Sequence, residues 1–449
     1  MDTGNGIYNY DGRLRLMVKP LDTSNTEQSK YHSTTMASTL TAEMLTRLQT
    51  DDKLPKKLLD STDLKFLSEK IAQYEALPTS TFSKITTCTS NTIQIILIIL
   101  LTLFSGIPTK LGVFRKIGEF SGGPAVGLTP AFTYGVEEFF TFEQLDQLDL
   151  TGQTALVTGG NSGVGFETAK YLSKLGADVT ILCRSDIRCA VAAKAIRKEG
   201  GKISTLIADM SDLKSTRAAT MKYSETITNL DMLYFNAGIG NAGLNEDGSL
   251  VLSVDGIEKV FATNHVGHHL MWTILAEKVK ASPMGRVVMT SSASNFDTYD
   301  YGIALDLETL NNAKEAPAPL MKNYGQSKLA QIMWAQELTR QLGQDSTVYI
   351  NSYHPGLAAT EIMYKNPSFP KFLHSIFRFV AKNVFWNQKD GALTQIYLGA
   401  ASKDVKDKNI RGQYFHPQVQ RVTPNEKFAT DLELQKGLWE FSNELIKRG

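Results

Sequence analysis

Cysteine is scarce in this chain of 449 residues, which has only Cys88, Cys183 and Cys189. Three thiols cannot build a disulfide framework, and no CxxC or Cys/His cluster has zinc-ligand spacing, so a cross-linked secreted scaffold and a zinc module are excluded. So little cysteine favours a reducing compartment over the cell exterior. An excess of either charge is lacking as well. The 47 basic and 46 acidic residues leave a formal net charge of +1, with no global field to steer nucleic acid, and no nucleic-acid partner is expected. No Asn-x-Ser/Thr acceptor occurs anywhere. Only one stretch is continuously apolar, which excludes a multi-pass membrane protein. What remains, 42% apolar and 21% charged, is the composition of an ordinary globular protein.

Residues 1–91 are polar and poor in periodicity, and are expected to be largely disordered. They lack the basic start and early apolar run of a secretory signal, and Asp2, Asp11, Asp22 and Glu27 argue against a transit peptide. A short helix is expected near Thr62–Ala76, where Leu64, Leu67, Ile71 and Tyr74 recur at helical spacing behind a Thr62 cap. Within 92–108 lies the apolar run TIQIILIILLTLFSGI, interrupted early by Gln94. At about 1.5 Å per residue it falls slightly short of a hydrocarbon core of roughly 30 Å. It precedes the folded domain with nothing apolar beside it to pack on, so it reads as a membrane anchor; a surface-lying hairpin and a buried core helix are the alternatives. Lys84 before it, and Lys110, Arg115 and Lys116 after it, place the C-terminal domain on the cytosolic side. Residues 109–146 form a Gly- and Pro-containing connector. From 147 to 449 short apolar strands alternate with helical patterns, which predicts a single α/β domain with a doubly wound parallel sheet.

The first strand, Ala155–Val157, runs into Thr158-Gly159-Gly160-Asn161-Ser162-Gly163-Val164-Gly165 and then a helical pattern over Phe166–Leu175. A strand, a glycine turn and a helix N-terminus make a site for a pyrophosphate: glycines let the backbone approach, and free N–H groups with the helix dipole stabilise the anion. The spacing, G-x-x-x-G-x-G, differs from the G-x-G-x-x-G of many dinucleotide folds. The second strand, Asp178–Cys183, ends at Arg184, where an acid would bind the ribose hydroxyl of NAD and an arginine suits the 2′-phosphate of NADP. NADP is therefore preferred, with NAD still open because Asp186 lies two residues on. Asp209, at a third strand end, is placed to accept from an adenine amino group. Asn236-Ala237-Gly238 follow the apolar strand Asp231–Phe235, and small residues there allow a cofactor to approach.

Strand Arg286–Met289 leads into Thr290-Ser291-Ser292, at the carboxyl end where ligands of open α/β sheets sit. Downstream, Tyr324 and Lys328 are four residues apart in a helical pattern, on one face. A tyrosine near pKa ~10 exchanges protons poorly at neutral pH, and an adjacent ammonium favours the phenolate. That pairing suits general acid–base catalysis.

These motifs together, over about 300 residues from Leu148, resemble the short-chain dehydrogenase/reductase family. TGGNSGVG resembles its phosphate motif, FNAG its NNAG, and Asn264 in ATNHVGHH its catalytic asparagine. Ser292, Tyr324 and Lys328 match the remaining catalytic positions. HPGLAAT, with Pro355, Gly356 and Thr360, resembles the segment that contacts the nicotinamide. Within the family, DGIEKVFATNHVGHHLMWTIL, YGQSKLA and DGALTQIYLGA look most like the retinol dehydrogenase branch, which includes WW-domain-containing oxidoreductases. No WW domain is apparent here, because all four tryptophans lie in the catalytic domain.

The resemblance implies reversible interconversion of an alcohol and a ketone or aldehyde with NADP(H). Tyr324 would exchange the proton, Ser292 would polarise the substrate oxygen, Lys328 would hold the nicotinamide ribose and lower the tyrosine pKa, and Asn264 would help hold a relay water. Two departures are Phe235 for the first Asn of NNAG and His269 for an aromatic. His265, His268 and His269 are dense, but no Asp, Glu or Cys accompanies them, and no metal is assigned. Phe369, Phe372, Leu373, Ile376, Phe377, Val380 and Val384 form an apolar stripe over the expected substrate. It is either a helix packed on its own domain or a lid resting on a membrane. With the anchor, it favours a retinoid-, steroid- or lipid-like substrate, at the endoplasmic reticulum or another organelle, and a homodimer stays open. The competing readings are a catalytically silent cofactor-binding scaffold and a specialised reductase such as a protochlorophyllide reductase.

Overall fold

The computed structural model describes residues 140–312, 319–356 and 387–449, and the backbone of Tyr8–Tyr10 and Arg13–Arg15. The anchor segment 92–108, the helix near Thr62, most of the connector, Thr360 and the apolar stripe lie outside the described residues. Among those described, no helix is long and apolar enough to cross a membrane. The chain divides into two units, Met1–Ser105 and Gly106–Gly449. In the first, Tyr8–Tyr10 and Arg13–Arg15 pair antiparallel, a small hairpin within the polar extension.

The second unit is built on strands whose central members are apolar on both sides. They are β1 (Thr154–Thr158), β2 (Asp178–Cys183), β3 (Ile203–Ile207), β4 (Met232–Phe235), β5 (Gly285–Thr290), β6 (Val348–Tyr353), β7 (Tyr414–His416) and β8 (Gln420–Arg421). Successive side chains point to opposite faces of a strand, and here both faces are covered. Val157, Ile181, Tyr234 and Val288 enter one core, while Leu156, Leu182, Leu233 and Val287 enter the other. The first core is closed by α1 (Gly163–Lys174), α2 (Asp186–Lys198) and, near the C-terminus, Gln388–Ala400. The second is closed by α3 (Leu213–Thr226), α4 (Gly267–Lys280) and α5 (Pro319–Leu342). The helix Gln388–Ala400 is α6, and Leu432–Leu445 is α7.

The sheet order is β8-β7-β6-β5-β4-β1-β2-β3, parallel except for β8. The order reverses between β1 and β4, and the crevice outside their carboxyl ends is where such sheets bind ligands. The doubly wound parallel sheet expected from the sequence is present. Two boundaries differ from expectation: α1 begins at Gly163, inside the glycine turn, and α5 extends back to Pro319, so Tyr324 lies well within it. A disulfide joins Cys183 at the end of β2 to Cys189 in α2, with Cα atoms 5.7 Å apart. It is one local link rather than a framework, but it removes cysteine scarcity as an argument for a reducing compartment. The β2–α2 turn brings two residues six apart into reach, which a cysteine count does not reveal.

Between β4 and α4 the chain makes an irregular excursion. Glu258 ends it by accepting the N–H groups of Val260 (2.9 Å) and Phe261 (2.8 Å), which starts the helical turn Lys259–Phe261. A π-helical turn, Ala262–Val266, follows, closed by Gly267 N–H donating to Ala262 O, and it carries Asn264. Glu258 is buried, and desolvation pushes its carboxyl up to about 7, against the opposing pull of those two amides. Its folded pKa lies above its free value, so its contribution to stability is full below about pH 4.5 and is lost as pH rises through 7. Raising the pH from 5 to 8 should therefore destabilise the wild type relative to Glu258→Gln, by up to about 3 kcal/mol. Urea unfolding at both pH values measures this, and parallel pH profiles would contradict it.

Candidate active site

The turn after β1 is shaped by what lies beneath it. Gly159 adopts φ +68°, and a Cβ there would press on Ala237. Asn236 fills the space under the turn: its Nδ2 donates to Thr158 O at 2.8 Å and lies against Gly165. Its side chain therefore latches two loops together. Ser162 stands at the start of α1 without capping it by its side chain. The first-turn N–H groups, of Gly163, Val164 and Gly165, have no partner inside the helix by geometry. Val164 itself is buried, and Asn161 lies in the same turn. Arg184 is exposed at the end of β2, and Asp209 past the end of β3 has Oδ1 engaged by Ser211 N–H (2.9 Å) and Oγ–H (2.8 Å). Pro355 and Gly356 follow β6, with Gly356 N–H donating to His354 Nδ1 at 2.9 Å.

Asn264, Ser292, Tyr324 and Lys328 converge at the carboxyl ends of β4 and β5. Asn264 is fully partnered by protein. Its Oδ1 accepts Ile239 N–H (2.8 Å), and its Nδ2 donates to Ile239 O (3.0 Å) and to Ser327 Oγ (3.0 Å). Its carbonyl accepts from His268 Nδ1 (2.9 Å) and Gln331 Nε2. Asn264 thus clamps the loop after β4 to α5. Ser292 caps the turn Ala293–Phe296 through its Oγ, which lies beside Tyr324. α5 approaches this turn closely: a Cβ at Gly325 would clash with the carbonyl of Asp297. Ser291 Oγ donates to Lys328 O (2.7 Å) and Lys328 Nζ to Thr290 O (2.9 Å), so α5 is stapled twice to the end of β5.

The electrostatics differ from the expectation that Lys328 lowers the Tyr324 pKa. Tyr324 is partly exposed, but its hydroxyl sits in dry surroundings, and burial pushes it up while the neighbouring Ser292 pulls it back in part. Lys328 is buried, and desolvation lowers it to about 8. Its Nζ is 5.5 Å from the Tyr324 ring centre. Desolvation is the largest influence on both groups in the protein alone.

The residues fit a nicotinamide dinucleotide. A Cβ at Gly238 would lie 3.1 Å from Asn264 Oδ1 and 3.3 Å from Lys328 Nζ, so the missing side chain leaves the lysine open to this cradle. Sequence reasoning did not single out Thr158, Gly325, Ser327 or Ile239. The three histidines also have definite roles. His265 Nε2 meets Ser442 Oγ (2.8 Å) and His269 Nε2 meets Asn443 Oδ1 (2.9 Å), both on α7, whereas His268 turns toward the site. Phe235, where the family has Asn, packs on His268 and Trp334.

A family model described as short chain dehydrogenase matches residues 153–304. The chain is 34% identical over 308 residues to the chloroplastic short-chain dehydrogenase TIC 32 A of Brassica napus, covering 67% of this chain and 90% of that one. It is 31% identical over 308 residues to mouse retinol dehydrogenase 14, covering 66% and 86%, and 31% identical over 310 residues to human retinol dehydrogenase 13, covering 66% and 85%. The solved structure of an uncharacterized protein from Mycobacterium paratuberculosis matches with a TM-score of 0.51 and 25% identity, over 69% of this chain and 98% of that one. With the clustered Asn264, Ser292, Tyr324 and Lys328, these likenesses identify the chain as a member of the short-chain dehydrogenase/reductase family, in its retinol dehydrogenase-like branch, an oxidoreductase acting on CH–OH groups with NAD or NADP.

Proposed function

We propose that the protein interconverts a lipophilic alcohol and its ketone or aldehyde with NADP, using Tyr324 as the acid/base. The observation that carries this reading is the gathering of Ser292, Tyr324 and Lys328 at the open end of the sheet, with Lys328 Nζ 5.5 Å from the Tyr324 ring centre. The cofactor, when bound, supplies or accepts the hydride. Gly159, Gly163, Val164 and Gly165, with Asn161 and Ser162, would hold its pyrophosphate. Arg184 would take a 2′-phosphate, Asp209 the adenine, and Ala237, Gly238, Pro355, Gly356 and Thr360 the nicotinamide end. Ser292 and Tyr324 both present hydroxyls to one substrate oxygen. Ser292 holds that oxygen and stabilises its developing charge. Tyr324 gives it the proton in reduction and removes it in oxidation. Lys328, beside the ribose position, stabilises the phenolate left behind.

The complete set of four residues supports an enzyme over a silent scaffold. The lipophilic substrate class rests on the names of the retinol dehydrogenases, on the apolar run at 92–108 and on the stripe at 369–384. We read 92–108 as a membrane anchor with the catalytic domain facing the cytosol. We read the membrane as that of the endoplasmic reticulum or another organelle; the chloroplastic naming of a relative supports counting a plastid among these.

Tyr324→Phe should lower turnover of a long-chain aldehyde or retinal by ~10² or more while retaining NADPH binding, measured by cofactor oxidation and fluorescence. Turnover unchanged by that substitution would overturn the assignment. Arg184→Ala should weaken NADPH by roughly tenfold or more and leave NADH nearly untouched, since a charge-assisted phosphate contact is worth about that much. Equal loss of both would give the arginine another role. Carbonate washing should leave the full chain in the membrane pellet, and deletion of 92–108 should release it. Release of the undeleted chain would defeat the anchor.

A further inference from the structure

His268 is fully buried, and its two ring nitrogens reach two different parts of the site. Nδ1 is 2.9 Å from the carbonyl of Asn264, and Nε2 is 2.9 Å from Thr158 Oγ1. A carbonyl only accepts, so Nδ1 must carry a proton. Burial lowers the imidazole to about 3, so the ring holds that one proton and Nε2 is a bare acceptor. The Thr158 hydroxyl is the donor that Nε2 needs. Its alternative acceptor, Tyr234 O, is more distant at 3.2 Å, and turning that way would leave a buried nitrogen unpaired. Thr158 Oγ1 meanwhile accepts the N–H groups of Asn236 and Ala237, both at 2.9 Å.

Every hydrogen in this chain then has one direction: from the amides of Asn236 and Ala237 to Thr158, from Thr158 to His268, and from His268 to Asn264. The chain joins the end of β1, the loop that would face the cofactor, and the π-helical turn carrying Asn264. From there Asn264 grips Ile239 and Ser327. Phe235 supports the imidazole from one side, with ring centres 4.9 Å apart, and Trp334 backs Phe235 at 5.2 Å. His265 and His269, equally buried, make no such link and bond the C-terminal helix α7 instead.

We propose that His268 is a positioning residue that couples the cofactor-facing turn at Asn236–Gly238 to Asn264, so that the two are set together. This rests on the oxidoreductase reading above. The proteins compared are wild type, His268→Phe, His268→Asn, Thr158→Val and the Thr158→Val/His268→Phe double variant, with His269→Phe as a control in the same cluster. NADPH affinity is read by cofactor fluorescence, turnover by cofactor oxidation, and exchange of the amides of Asn236 and Ala237 in the protein without cofactor.

His268→Phe keeps a flat ring but loses both hydrogen bonds. It should weaken NADPH and lower kcat by roughly tenfold each, and speed amide exchange at 236–237. Thr158→Val should lose at least as much affinity, because it also releases the two amides, and the double variant should be no worse than Thr158→Val alone, because both cut one chain. His268→Asn places an N–H near the position of Nδ1. It should recover kcat while affinity stays weak, because only the Asn264 end is restored. His269→Phe should lower thermal stability and leave affinity and kcat unchanged. The proposal is overturned if affinity and kcat per folded molecule stay at wild-type values in both His268 variants, or if Thr158 and His268 losses simply add. If His268→Phe fails to fold, His268→Asn decides alone by its split between affinity and kcat. Wild-type protein that binds no NADPH would remove the proposed function itself, and this coupling with it; intact wild-type binding and turnover with unaltered variants would remove only the coupling.

Discussion

Burying an asparagine, a lysine and part of a tyrosine at the ends of adjacent strands is tolerable only if their polar atoms are hydrogen-bonded, since an unpaired buried group costs about 1–3 kcal/mol. Much of the local architecture answers that requirement. Asn264 spends its side chain on Ile239 and Ser327, and its carbonyl on His268 and Gln331. Lys328 has Thr290 O, and Ser291 closes the second staple between α5 and β5. The consequence is a site held rigid before any substrate enters. The Lys328 ammonium, which has donors beyond its bond to Thr290 O, lies beside the cradle left by Gly238.

This arrangement leaves a tension in the electrostatics. Desolvation holds Lys328 down to about 8 and Tyr324 up, so the pair in the protein alone favours neutral forms more than free side chains do. A buried lysine of this kind is readily shifted, which suits a residue that must respond to charge developing next to it. Glu258 shows the same pressure at the start of the Asn264 turn, where two backbone amides only partly offset its burial. Polar groups placed for chemistry here oppose stability, and the apolar cores on both faces of the sheet supply the compensation.

The sheet was legible because its strands are buried on both faces and read as short apolar runs; β2 falls on the expected Asp178–Cys183. Tyr324 and Lys328 were legible from their four-residue spacing, and Asn264 from the resemblance. The start of α1 was not, because glycine gives no helical signal even where Gly163 begins the helix. The π-helical turn was not, because a single wide turn leaves the hydrophobic pattern unchanged. His268 and Thr158 lie 110 residues apart, so their hydrogen bond is a property of the fold that neither residue announces. The dryness around Tyr324 was not legible for a related reason: spacing shows that two groups are close, but not how far they are removed from water.

The claim at the centre of this account is that the Asn236–Gly238 turn, Asn264 and Lys328 form a prepared cradle for the nicotinamide ribose. A crystal structure of the protein with NADP bound tests it most directly. The account predicts the ribose within hydrogen-bond reach of Lys328 Nζ beside Gly238, the pyrophosphate on the amides of Gly163–Gly165, and Asn264 still bonded to Ile239 and Ser327. A cofactor bound elsewhere, or an Asn264 that releases those partners to admit it, would contradict the account.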